Sequence, residues 1–133
     1  MTLVGQTHHC MMKFYWTIPQ GLKEHYLLEL DLYKTEFGQR NLQQAWRHLE
    51  RTHILAQAWP REHSYVHWRM LLFGIHIKNL REIMGQIPRL LIGGVKSFVG
   101  NIPVGNTGGA NVPPLLPMEI PEDLSRILKA YQP

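Results

Sequence analysis

Apolar positions along this chain fall first into a helical rhythm. Leu22, Tyr26, Leu30, Tyr33 and Phe37 recur every three or four residues, and Pro19 suits a first turn, so a helix is expected from Pro19 to about Phe37. Gly38-Gln39-Arg40-Asn41 breaks the run, with Asn41 placed to cap a second helix that reaches about Ala58 before Pro60 ends it. Its apolar stripe is Leu42, Ala45, Trp46, Leu49, His53 and Ala56, which sets His53 in a core-facing seam. A third helix spans roughly Glu62 to Ile77. One face gathers His63, Val66, His67, Met70, Gly74 and Ile77, and the other carries Tyr65, Arg69 and His76. Gly74 on the buried face would let another helix approach closely. Asn79-Leu80-Arg81-Glu82 has the form of a capping box, with the Glu82 side chain reaching back to Asn79. The fourth helix carries Leu80, Ile83, Met84, Ile87 and Leu91, and Pro88 is expected to kink it or end its first half.

Residues 100–120 lose this rhythm. Gly100, Pro103, Gly105, Gly108, Gly109, Pro113, Pro114 and Pro117 exclude a helix or central strand, so a long ordered loop is expected. A short terminal helix covers about 121–130, with Glu122 and Asp123 at its positive end. The expectation is therefore an all-α fold: a flexible leader over 1–16, then a single helical domain over 17–133. Its four main helices pack as antiparallel hairpins, the second and third turning at Trp59-Pro60. Asn41-Leu42, Ala45, Leu49 and Thr52 fall at the spacing of a tetratricopeptide hairpin, but no second copy follows, so this is a likeness of helix packing.

Charge and composition narrow the class only slightly. The 133 residues are 44% hydrophobic with a net charge of +4, and the basic residues are scattered, which gives no specific nucleic-acid signal. Cys10 is the only cysteine, so no internal disulfide can form, and with no signal-peptide pattern this suits the cytoplasm. The most apolar stretch, Ile83 to Val99, contains Gln86, Pro88, Arg89 and Lys96 and is too polar to span a membrane. In the leader, His8-His9-Cys10-Met11-Met12 concentrates ligands that suit copper, although Met11 or Met12 is also a candidate natural start.

Three histidines carry the most chemistry. His63 and His67 stand four apart and share a helix face, while His53 and His67 lie seven residues before and after Pro60, so a hairpin there brings all three to one level. One reading is a core network, with the rings hydrogen-bonded to each other, to backbone carbonyls or to Glu50. The other is a divalent transition metal (zinc, copper, nickel or iron) on neutral imidazoles, with Glu50 as fourth ligand or as an orienter of His53. Three protein ligands would leave a position open for water or a small molecule. The spacing matches neither His-Glu-x-x-His nor a di-iron pattern. The Gly105-Asn106-Thr107-Gly108-Gly109 turn lacks the Lys-Ser/Thr of a phosphate loop; Asn101, Asn106 and Asn111 are expected to close Asx turns in it, and it is placed to fold over the histidines as a lid. Trp46 and Trp68 are expected in the core. His8, His9, His25, His48 and His76 receive no role.

Two segments carry a family resemblance. Leu49-Glu50-Arg51-Thr52-His53-Ile54-Leu55-Ala56-Gln57 with His63-Ser64-Tyr65-Val66-His67-Trp68-Arg69-Met70-Leu71 is one, and Ile102-Pro103-Val104-Gly105-Asn106-Thr107-Gly108-Gly109-Ala110-Asn111-Val112 leading to Met118-Glu119-Ile120-Pro121 is the other. Together they resemble a bacterial family of short proteins of unknown function over about residues 20–130. The resemblance implies a compact helical cytosolic domain and brings no established activity. Two functions follow as expectations: binding of a transition metal or metal cofactor through His53, His63 and His67, or a metal-free interaction module. The latter would use a homodimer through the fourth helix, or the basic segment around Arg81, Arg89 and Lys96 on an anionic membrane surface.

Overall fold

Proline and glycine punctuation puts the helix ends close to where the spacing expects them. The computed structural model describes residues 17–92, 105–114 and 116–131. Its helices are α1 (Gln20–Gly38), α2 (Leu42–Ala56), α3 (Pro60–His76), α4 (Leu80–Ile92) and α5 (Glu122–Ala130), with no strand among the described residues. No helix there is long and apolar enough to cross a membrane. The leader motif at residues 8–12 and Asn101 lie outside the described residues.

Short links join α1 to α2, α2 to α3 and α3 to α4, and two of them close alike. Arg40 (φ 61°) and Lys78 (φ 56°) adopt the left-handed conformation just past α1 and α3. The next amide then bonds five residues back, Asn41 N–H to the Glu36 carbonyl and Asn79 N–H to the Gly74 carbonyl, both at 2.9 Å. That is the Schellman closure, which satisfies carbonyls the helix end leaves open. Between α2 and α3 the chain turns differently. Trp59 is extended, and Pro60 opens α3 where its missing N–H costs no bond.

The core is the seam that the apolar spacing marks. Leu22, Tyr26, Leu30 and Tyr33 of α1 meet Ala45, Leu49, Ile54 and Leu55 of α2, Val66, Met70 and Phe73 of α3, and Leu124 of α5, all buried. Each large side chain so buried contributes roughly 1.5–3 kcal/mol. Rings of Tyr33, Phe37, Phe73 and Trp46 follow one another at centroid distances of 5.1 to 5.8 Å and tie α1, α2 and α3 together. Buried Glu29 on α1 holds α2 through His48 (2.7 Å) and Arg51 (2.8 Å), and Arg51 also grips Asp123 of α5. His48, left without a role by the sequence, is thus a structural tie.

Three local expectations need correction. α4 does not end its first half at Pro88 but continues through it; Pro88 is exposed, and the carbonyl its missing N–H leaves open is that of Met84, also on the outer side, where water can serve it. Asn79 does cap α4, accepting from Glu82 N–H at 3.1 Å. The Glu82 side chain does not complete the box: it is buried and accepts from Gln86 and Ala110. Trp68 is exposed, on the outer face of α3. Beyond these, α4 is inverted relative to its hydrophobic pattern: Leu80, Met84, Ile87 and Leu91 are 44–75% exposed, while Glu82 and Gln86 face inward. Gly74 behaves as expected, since a Cβ there would lie 3.3 Å from Glu82 Cβ, the close approach of α4.

Candidate metal centre

His53 sits one turn from the end of α2, and His63 and His67 occupy the first half of α3. All three are 1–2% exposed. Their Nε2 atoms converge: His53 to His63 is 2.7 Å, His53 to His67 is 3.1 Å, and His63 to His67 is 3.2 Å. The rings are tilted 53–81° to one another with centroids 4.5 to 4.7 Å apart, so they meet through their edges and do not stack. Hairpin geometry and helical spacing thus bring together the three histidines that the sequence singles out.

The far side of two rings fixes what their Nε2 atoms present. His53 Nδ1–H donates to the Asn106 backbone carbonyl at 2.7 Å. His67 Nδ1–H donates to Gln86 Oε1 at 2.6 Å. The Gln86 amide cannot be turned round, because its Nε2 faces two acceptors, Glu82 Oε1 at 2.6 Å and the Gly108 carbonyl at 2.8 Å. In neutral His53 and His67 the proton is therefore on Nδ1, and Nε2 offers a lone pair. Two lone pairs 3.1 Å apart repel unless a cation or a proton lies between them. One N–H on His63 can serve only part of this triangle.

The glycine-rich loop builds the other half of the centre. Gln57 Oε1 accepts from Gly105 N–H at 3.0 Å. Asn106 accepts from Gly108 N–H at 2.9 Å, the expected Asx turn, and its Nδ2 donates to the Pro113 and Leu116 carbonyls. Ala110 N–H donates to the Glu82 carboxylate at 3.1 Å, and Arg89 donates to the Gly109 and Val112 carbonyls at 3.1 and 2.9 Å. Gly108 (φ +83°) lies flat on His53, where a Cβ would be 2.5 Å from Cδ2 and 2.7 Å from Nε2.

Glu50 stands apart from the converging group, whose members among the described residues are the three histidines. Its Oε1 accepts from Trp46 Nε1 at 2.7 Å. Burial raises its carboxyl above the usual range; the Trp46 bond opposes this, the Glu82 charge adds to it, and Arg47 opposes it.

A family model described as a protein of unknown function (DUF3703) matches residues 20–128. The chain belongs to the DUF3703 family. No curated protein and no solved structure matches it. The matched span of this DUF3703 chain holds the three histidines together with Asn106 and Gly108, the described loop residues seen against His53. Sequence reasoning missed Gln86, Glu82, Arg89 and the separate roles of Asn106 and Gly108. Gln86 and Glu82 carried a signal, as polar residues inside an otherwise amphipathic helix, but helical spacing does not say which of two unlike faces turns inward. Asn106 and Gly108 looked like turn residues and are also partners of His53.

Proposed function

We propose that this DUF3703 protein binds a transition-metal ion through Nε2 of His53, His63 and His67. The observation that carries the reading is the triangle of three buried Nε2 atoms, two of them held as lone-pair donors from behind. A tetrahedral zinc-like ion with bonds of about 2.0–2.1 Å holds its nitrogens roughly 3.3 Å apart. Sides of 2.7 to 3.2 Å are a few tenths shorter, a difference that small ring rotations absorb. The Asn106 carbonyl and the Gln86 amide take the part that outer partners play in metal sites, fixing tautomer and ring direction. Glu50, committed to Trp46, is left out of the proposed ligand set. The helical hairpin of α2 and α3 serves as the scaffold, and the tetratricopeptide likeness adds no peptide-binding role to it.

Elemental analysis of tag-free protein tests this directly. After reconstitution with zinc, copper, nickel and iron in turn, about one tightly held ion per chain is expected, lost in His63→Ala and retained in Glu50→Gln. Sub-stoichiometric metal in every case would make the trio a hydrogen-bonded core network.

One observation favours a second, metal-free reading, the exposed α4 stripe of Leu80, Met84, Ile87 and Leu91. It would serve as the homodimer face of an interaction module. The basic alternative is weaker, because Arg89 is spent on the loop carbonyls.

A further inference from the structure

The identity of the ion rests on the metal reading above and is carried by charge and by the cap. The ten Asp and Glu side chains all lie within the described residues, and none joins the converging group. The two rings with fixed tautomers lean on amide oxygens, of Asn106 and Gln86, and not on carboxylates. Among the described residues the centre therefore supplies three imidazole nitrogens and no carboxylate ligand; the Glu82 charge enters only behind His67, through Gln86.

Burying an ion costs free energy that rises with the square of its charge, so a buried cage with no carboxylate ligand favours a monocation over a dication. Zinc in a three-nitrogen site offsets its charge and completes its tetrahedron with a bound water or hydroxide. Gly108 works against that. Its backbone lies beside His53 Nε2, and both of its own polar groups are engaged elsewhere, N–H with Asn106 Oδ1 (2.9 Å) and carbonyl with Gln86 Nε2 (2.8 Å). What it turns to His53 is a methylene, neither ligand nor hydrogen-bond partner for a bound water. Copper(I) is a monocation with a filled d shell that is content with three neutral donors.

We infer that His53, His63 and His67 form a three-coordinate copper(I) site, closed on the His53 side by the Gly108 methylene and discriminating against zinc(II). The test is a pair of competition titrations on the full chain. Copper(I) is titrated anaerobically against bicinchoninate with ascorbate present, and zinc(II) against a chromophoric zinc chelator. Copper(I) is expected to bind at least ~100-fold more tightly than zinc, an order the usual divalent affinity series does not impose. X-ray absorption of the copper(I) protein should show three nitrogen neighbours, and Cys10→Ser should leave the affinity unchanged. Zinc binding as tight as copper(I), a fourth light-atom neighbour, or a sulfur neighbour lost in Cys10→Ser would each overturn the inference while leaving a metal site. Binding of neither ion would overturn the metal reading itself, and the inference with it.

Discussion

Gly108 shows how much one absent side chain can decide. It holds the left-handed conformation, which costs an L-residue about 1–2 kcal/mol. A methyl there would also meet the His53 ring at 2.5 Å, and overpacking of that kind costs typically ~1–3 kcal/mol. Gly108→Ala is therefore expected to lower unfolding stability by ~2–5 kcal/mol in denaturant titration. Gly38, with nothing within 4 Å of its absent Cβ, should gain roughly 0.5–1 kcal/mol on mutation to Ala. Equal responses at the two sites would mean that the loop does not rest on His53. The glycine itself was plain in the sequence as a turn residue. Its contact with a ring 55 positions earlier was not, because local spacing carries no information about which surface a loop meets.

At the scale of elements, the ends of α1 and α3 carry strain that a glycine would remove. Arg40 and Lys78 are exposed and left-handed, in the position where helices usually place glycine. Lys78→Gly is expected to raise stability by about 0.5–1 kcal/mol, the left-handed cost less the extra chain entropy that glycine brings to the unfolded state. Lys34→Gly, inside α1, should instead lose about 1 kcal/mol. Thermal melts of both variants check the pair, and a loss at Lys78 would contradict the closure described here. Helices themselves were legible from the three- and four-residue spacing, because a buried stripe must recur with the helical repeat. The direction of α4 was not. Its apolar stripe is the stronger signal, yet its polar side is the one buried, because Glu82 and Gln86 there find the loop amides, the Gly108 carbonyl and His67.

For the whole molecule the consequence of that inversion is an apolar strip left on the surface. Leu80, Met84, Ile87 and Leu91 stand 44–75% exposed along one side of α4, and contiguous patches of this kind mark contact sites more often than bare surface. Sedimentation velocity over a concentration series is expected to show a reversible shift toward twice the chain mass. Met84→Lys should abolish it without lowering the melting temperature, since Met84 makes no part of the core. A chain that stays monomeric at every concentration would remove the second functional reading. Reversing Arg89 would not be a clean test of the same face, because that side chain holds the loop over the histidines.

Periodicity by itself determined the all-helical class, the positions of the helices and the sharing of one helix face by His63 and His67. Proline at 60 and the seven-residue offsets around it placed His53 level with His67. These are consequences of covalent geometry and of burying one stripe per helix, so they can be read along a line. Tertiary structure alone decided that three Nε2 atoms meet within 2.7 to 3.2 Å, that Gln86 and the Asn106 carbonyl hold two of them as donors, and that Gly108 closes over one. Apart from the His63–His67 contact within α3, each of these joins residues 10 to 55 positions apart, and buried polar groups choose such partners by what remains unsatisfied once the helices have packed.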